Sequence, residues 1–273
     1  MHAKVAKAGI ILDSMRPPLL CLLPVLTACQ SMIRGEELAV GARVLQDTRV
    51  VDRGKLGVEM GFAVDPGQRK TVPIYFEYGV SDTLNAFLNL SAYEKVDQGG
   101  SEGEGIGDAG LGVRTLLFDL EAGTRGLLEA RVSIPTGDVG DGTGSGDVEW
   151  FAAGVLNQAF EQATFGLWLE LGLLGNAFGS DPDTAQRVGA NVTVGLADDV
   201  LGFLELENEY LEDLDIGVAR LGVALKSSAS TVMDLGLSVG LDDDAADAVY
   251  FVGFTTQLGL GYREPLPMPE TAP

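Results

Sequence analysis

The stretch "LGVEMGF" at residues 56–62 determines the fold, because its side chains alternate in character with a period of two. Leucine, valine, methionine and phenylalanine occupy one set of positions, and Glu59 and two glycines occupy the other. A β-strand points successive side chains to opposite faces of its sheet. The stretch is therefore predicted to be a strand with one apolar face and one polar face.

The same alternation continues through most of the chain. It recurs at 72–78, 84–92, 109–117, 128–134, 165–173, 188–194, 221–225, 233–241 and 250–260, and less regularly at 148–155 and 201–210. These segments predict about twelve strands near ten residues long. A membrane-spanning strand needs about 9–11 residues, whereas strands of soluble domains average five or six. Their length favours strands that cross a membrane.

The connections alternate between short and long. Short turns such as "GVSDT", "LADD" and "SSAS" separate the longer acidic segments "EKVDQGGSEGEGIGD", "PTGDVGDGTGSGD", "NAFGSDPDTA", "EDLD" and "DDDAADA". Short turns at one rim and long loops at the other are typical of outer-membrane barrels, as are aromatic residues near strand ends. The aromatic residues at predicted strand ends are Phe62, Tyr78, Tyr93, Phe118, Trp150, Tyr210, Tyr250 and Tyr262.

These features predict an all-β protein, a closed antiparallel up-and-down transmembrane β-barrel. Lipid cannot satisfy the free amides of a strand edge, so a membrane sheet must close. A hydrated lumen tolerates charges on the inner face. The predicted lumen-lining residues are Glu59, Glu77, Arg114, Glu129, Arg131, Trp168, Glu170, Arg187, Glu205, Glu207, Arg220 and Asp234.

Two alternatives stay open at this point. In a soluble β-sandwich the apolar rows would meet in a dry core, and the charges would form a solvated exterior. Within a barrel, Trp168 and Phe87 share the inner register. They are equally suited to contact an aromatic solute and to pack against a plug.

The composition excludes several classes of function. The 273 residues carry a formal net charge of −22, which makes nucleic acid an improbable partner. The single histidine, His2, and both cysteines, Cys21 and Cys29, precede residue 30. The Ser–His and His–acid mechanisms of barrel hydrolases and proteases therefore have no base in the barrel. No catalytic residue, cofactor or metal ligand is predicted.

The glycine-rich segment at 133–150 is predicted to be a flexible outer loop between strands. No Walker lysine follows its glycines, no nine-residue repeat surrounds it, and no glutamate closes a calcium loop after Asp138 or Asp141.

The amino terminus predicts export. Residues 15–31 combine a basic residue, a short apolar run and "LTAC", which resembles a bacterial lipobox with Cys29 as the acylated residue. Translation starts at Met1 or Met15. Residues 1–29 are predicted to be the signal, 30–53 a lead, an extra strand or a plug, 54–262 the barrel, and 263–273 a flexible tail.

Three motifs resemble a family of outer-membrane transporters named for the phenol meta-degradation pathway. They are "YGVSD" at 78–82, "GIGDAGLGVR" at 105–114 and "PTGDVGDGTGSGD" at 135–147. The resemblance implies a barrel that moves small, often hydrophobic, compounds across the outer membrane. The lipobox and the tail after Tyr262 depart from the family pattern, because barrel assembly machinery usually reads a terminal aromatic residue.

The predicted function is thus an outer-membrane channel or transporter in a Gram-negative-type bacterium. Its lumen would pass small solutes, and hydrophobic or aromatic compounds are among the candidates. Expected partners are the solute, outer-membrane lipid and lipopolysaccharide, and the barrel assembly machinery. The alternatives are a non-conducting envelope barrel with acidic surface loops and a secreted soluble binding protein.

Overall fold

The computed structural model describes residues 50–66, 69–98, 101–160, 163–175, 183–211, 214–228, 230–242 and 245–259. The predicted signal, the lipidation residue Cys29, most of the lead at 30–53 and the tail at 263–273 lie outside these residues. In the described part no helix is long and apolar enough to cross a membrane.

The described chain consists of strands joined by turns and loops. Their bounds are β1 Lys55–Asp65, β2 Arg69–Gly79, β3 Leu84–Gln98, β4 Ser101–Gly105, β5 Ala109–Asp119, β6 Thr124–Ile134, β7 Glu149–Ala159, β8 Ala163–Leu174, β9 Asp183–Ala197, β10 Val200–Leu211, β11 Leu214–Ser228, β12 Thr231–Gly240 and β13 Ala248–Gly259.

All strands belong to one closed antiparallel sheet. Apart from β4 and β5, consecutive strands pair with each other, and β1 pairs with β13 so that Glu59 lies opposite Thr255. The short β4 and β5 both pair with the same edge of β3 and together occupy one position in the wall. The result is a twelve-stranded barrel, as predicted. A closed single sheet rules out the β-sandwich alternative.

The two rims differ, as the connections predicted. The turn rim carries the short links at 80–83, 120–123 and 198–199, and the loop rim carries the longer ones at 135–148, 175–182 and 241–247. Two predicted longer connections differ from the structure. The "EDLD" segment at 212–215 was expected to be one of them, but β10 ends at Leu211 and β11 begins at Leu214, which leaves a link of two residues. The segment at 94–108 was expected to be a loop, but β3 continues to Gln98 and β4 pairs back against it. A charged, glycine-rich sequence obscures this hairpin, because it lacks the apolar alternation of the other strands.

The faces of the wall are sorted by polarity. In β8, Leu167, Leu169 and Leu171 are 59%, 42% and 52% exposed, whereas the intervening Trp168 and Glu170 are 3% and 2% exposed. This is the pattern of a wall with an apolar outer face and a polar inner face. All the aromatic residues predicted at strand ends are exposed, apart from Tyr262, which lies outside the described residues.

Inward aromatic side chains lie over glycines of the neighbouring strand. Phe87, Trp168, Phe203 and Phe251 are direct cross-strand partners of Gly112, Gly189, Gly222 and Gly236. A Cβ atom at any of these glycines would collide with the partner's ring. The missing side chains therefore let the rings lie against the wall.

Gly112→Ala is expected to lower the free energy of unfolding by about 1–3 kcal/mol, the usual cost of overpacking. Its Cβ would lie 2.6 Å from the backbone oxygen of Ala130, which cannot move aside without disturbing the β5–β6 ladder. The measurement is urea-induced unfolding of the barrel in detergent micelles. Gly154→Ala is the matched control, because its nearest neighbour, a methyl of Leu128, is 3.9 Å away. Equal stability of the two variants would contradict the packing argument.

Candidate functional site in the barrel interior

The structure buries every predicted lumen-lining side chain. All twelve, including Trp168, are at most 5% exposed, and they lie on the face opposite the apolar outer wall. Their use as the lining of a conducting path remains a prediction. Their low exposure shows that other parts of the protein cover these side chains inside the barrel.

Arginines and glutamates form a continuous chain around one side of the interior. Arg131 contacts Glu170 at 3.3 Å, and Glu170 in turn contacts Arg187 at 2.5 Å. Arg187 continues to Glu207 at 3.4 Å, and Arg220 binds both Glu207 and Glu205. The chain connects β6, β8, β9, β10 and β11. Each arginine bridges carboxylates of neighbouring strands, which compensates their charge inside the barrel.

A second cluster lies nearby, on β2, β3, β5 and β6. Arg114 contacts Glu129 at 3.0 Å and lies 3.8 Å from Glu77, which also accepts a hydrogen bond of 2.6 Å from the amide of Asn85. Closer to the loop rim, Arg69 pairs with Glu94 at 2.5 Å. The two clusters extend the compensated region from β2 through β11.

The interior carries more acidic than basic side chains. Twelve acidic side chains of the described residues are buried, against five arginines. Buried like charges repel each other unless a cation or a proton compensates them. The interior is therefore formally acidic.

Aromatic rings pack among the charges. The Arg131 guanidinium lies 4.1 Å from the centroid of Phe151, within the range of a cation–π contact. Tyr75 and Phe87 stack with centroids 5.2 Å apart. Aromatic and charged side chains therefore share the inner face of the wall.

The chain just before β1 enters the barrel. Val50 packs against Leu127, Val155 and Trp168, and Val51 is 3% exposed. A Cβ atom at Gly57 would lie 2.9 Å from a methyl of Val51. Residues 30–53 were predicted to be a lead, an extra strand or a plug, and only residues 50–53 of this segment are described. Val50 and Val51 lie in the interior near the turn rim. Trp168 contacts this segment.

The glycine-rich loop at 135–148 is held by Asp108. The Asp108 carboxylate, 1% exposed, accepts hydrogen bonds from the amides of Gly137 and Ser145 at 2.9 and 2.7 Å and from the Ser145 hydroxyl at 2.9 Å. The Thr136 hydroxyl also donates to the Gly107 carbonyl at 2.8 Å.

The same loop leans over the inner face of β4. Gly103 is the cross-strand partner of the buried Val96, and a side chain at Gly103 would collide with the backbone of Asp141. The segment was expected to be a flexible outer loop between strands, and it does connect β6 to β7 at the loop rim. Its inward packing and its hydrogen bonds were not expected, because Asp108 supplies acceptors for donors 29 and 37 residues away.

Several interior residues were missed by the sequence analysis. Glu209 lies 3.9 Å from Arg187 and follows the inward register of Glu205 and Glu207, so strand parity alone could have found it. Arg69 and Glu94 lay outside the predicted strands. In addition, a register shift between Val72 and Pro73 changes the parity of β3 near Glu94. No group of three or more His, Cys, Asp or Glu side chains suited to a metal ion occurs in the described ranges.

Arg187→Met is expected to lower the free energy of unfolding by about 3–5 kcal/mol, because it leaves Glu170, Glu207 and Glu209 without their shared cation. Arg125→Gln is the control. Arg125 pairs with Asp119 at 2.7 Å, but both side chains are more than 40% exposed, and such a pair contributes at most about 1 kcal/mol. Urea unfolding in micelles measures both variants, and an equal effect would contradict the proposed role of the interior network.

Asp108→Asn is expected to speed amide hydrogen exchange at Gly137 and Ser145. The asparagine has an NH₂ group in place of one carboxylate oxygen, and this group cannot accept a hydrogen bond from a backbone amide. Asp138→Asn is the matched control. The Asp138 Oδ1 accepts from the Gly140 amide at 2.7 Å, and an asparagine oxygen preserves that acceptor. Hydrogen exchange with mass spectrometry is the measurement. Unchanged protection at 137 and 145 in Asp108→Asn would show that the loop is held by other contacts.

Comparisons with known proteins agree with the fold. No family model matches the chain, and no curated protein matches it. The solved structures that it resembles are outer-membrane barrels. An outer membrane channel of the COG4313 group from Pseudomonas putida F1 is 11% identical, with 78% of this chain and 98% of that chain covered and a TM-score of 0.58. The NanC porin is 10% identical over 74% and 100%, with a TM-score of 0.54.

A third similar structure is the KdgM porin in complex with disordered oligogalacturonate. It is 6% identical over 73% of this chain and 98% of that chain, with a TM-score of 0.52. These likenesses support the outer-membrane barrel that the sequence predicted. The resemblance to the transporters named for the phenol meta-degradation pathway is not supported by a family model. The chain has the fold of outer-membrane channels and porins.

Proposed function

We propose that this protein is a channel of the Gram-negative outer membrane that passes small solutes and favours cations over anions. The observation that carries the proposal is the excess of buried acidic side chains over arginines inside a closed barrel. An acidic lumen attracts cations and repels anions, since fixed charges act strongly where water is scarce.

The acidic interior of this chain is unsuited to the type of ligand that is bound to one of its structural neighbours. The KdgM porin is recorded with oligogalacturonate, a polymer of acidic sugars. The acid excess in this barrel would repel such a polyanion. We therefore assign this chain a different class of solute, namely small neutral or cationic molecules.

The tight interior limits the size of the solute. The interior charges are buried, Val50 packs against Trp168, and the loop at 135–148 leans over the loop rim. These features favour a narrow path with low conductance. They also support the second candidate, a non-conducting envelope barrel whose interior is permanently filled. A catalytic role is not proposed, because the interior described here contains neither histidine nor cysteine.

The predicted partners belong to the same proposal. The acidic loops at the loop rim would bind divalent cations and, through them, the anionic groups of lipopolysaccharide. Insertion would require the barrel assembly machinery. Lipidation of Cys29 would add a second attachment to the membrane on the side of the turn rim, where β1 begins.

Planar-bilayer recording distinguishes the two candidates. Purified, refolded protein is expected to give small discrete openings, and the reversal potential in a KCl gradient is expected to show preference for K⁺ over Cl⁻. The preference should weaken as the salt concentration rises, because ions screen the fixed charges. Boiled protein is the control. Silence would favour the filled barrel, and preference for Cl⁻ would contradict the argument from interior charge.

A further inference from the structure

Asp234 is a buried acid that forms no ion pair with a described residue, unlike most acids of the interior. Glu77, Glu94, Glu129, Glu170, Glu205, Glu207 and Glu209 each contact an arginine, and Asp108 binds loop amides. Asp234 is only 4% exposed, yet its Oδ1 has no hydrogen-bond partner among the described residues. Leaving a charged carboxylate buried without a partner is costly, so a ligand with a positive charge would gain by binding there.

Asp234 lies on β12, which pairs with β11, the last strand of the arginine chain. Its cross-strand partners are Ala224 on β11 and Gly253 on β13, and neither carries a polar side chain. Gly253 pairs in turn with Gly61 on β1, two residues from the inward Glu59. Glu59, which has interactions of its own, is thus a second acidic side chain on the same side of the interior.

The basic residues near Asp234 do not compensate it. Arg220 lies at the register of Ser238, four residues along β12, and binds Glu205 and Glu207. Lys226 lies at the register of Val232 and is exposed at the turn rim. Asp234 makes no ion pair with a basic side chain of the described part.

Two phenylalanine rings border the same site. Gly236 is the next inward residue after Asp234 on β12, and the ring of Phe251 lies over it. The partner of Gly236 on β11 is Gly222, and the ring of Phe203 lies over that glycine. The two rings stack with centroids 6.3 Å apart and planes 24° apart. A buried carboxylate beside an aromatic pair is a combination that recognises organic cations.

We propose that Asp234, together with Glu59 and the Phe203–Phe251 ring pair, binds the primary ammonium group of a small amine. The Asp234 Oδ1 accepts a hydrogen bond from the ammonium, Glu59 contributes charge, and the rings contact the carbon attached to nitrogen. This inference deepens the proposed channel function and names small amines as its solute class. We assign the site to small ammonium ions because Asp234 and Glu59 are each 4% exposed and the two rings stack against each other.

Methylammonium is the probe, and two readouts separate the site from the channel. The first is the temperature at which the folded barrel in detergent loses its fast gel migration. It is measured in methylammonium, sodium or N-methylglucamine chloride at equal ionic strength. The wild type is expected to melt highest in methylammonium, because a ligand that binds only the folded state stabilises it. N-methylglucamine is too bulky for the site.

The variants test the named residues. Asp234→Asn is expected to weaken apparent methylammonium affinity about tenfold or more, since it removes a charged hydrogen-bond acceptor. Asp65→Asn is the matched control, because it removes a buried acid of the inner face near the loop rim, away from the site. Glu59→Gln is the second variant if Asp234→Asn fails to fold. Phe251→Leu should reduce the advantage of methylammonium over sodium.

The second readout is the permeability ratio of methylammonium to sodium in planar bilayers. A melting shift without conduction supports the site and overturns the channel. Conduction without a methylammonium shift overturns the site and leaves the channel intact. Equal shifts in sodium and methylammonium, or an unchanged shift in Asp234→Asn, overturn the assignment to an ammonium group.

Discussion

The requirement that every strand edge be paired governs this structure. A sheet in lipid has no water to bind the free amides of its edges, so β1 must pair with β13 and close the wall. The wall is a single sheet, and alternate residues then face lipid and lumen, except where a register shift such as that between Val72 and Pro73 changes the parity. Most buried charges of the interior are therefore a consequence of strand parity, and so are the exposed leucines of the outer face.

Closure also limits the space inside the barrel, and glycines in the wall leave room for inward aromatic rings. Four of the inward aromatic rings each lie over a glycine of the neighbouring strand. A ring that lies against the wall adds apolar surface to the lumen without crossing it. The glycines thus determine where the interior is apolar, and the glutamates and arginines between them determine where it is charged.

The sequence predicted the parts of this structure that depend on local pattern. Strand number, the two faces and the inward residues follow from a period of two, which needs no knowledge of partners. Contacts between distant residues could not be predicted in this way. The Asp108 carboxylate binds backbone amides 29 and 37 residues later in the chain. Arg187 forms ion pairs with glutamates of two different strands. The β3–β4 hairpin was missed because register shifts and glycines hide its alternation.

The uneven distribution of interior charge is what connects the fold to transport. From β2 to β11 the arginines compensate the glutamates, so that part of the wall is held together by its charges. On β12, Asp234 has no such cation among the described residues, and Glu59 on β1 is a further buried acid on the same side. A wall that only needed stability would place an arginine there as well, because an uncompensated buried charge destabilises the fold. The missing cation is therefore best explained as the place of a ligand, and the field between the two sides of the lumen would draw a positive solute toward it.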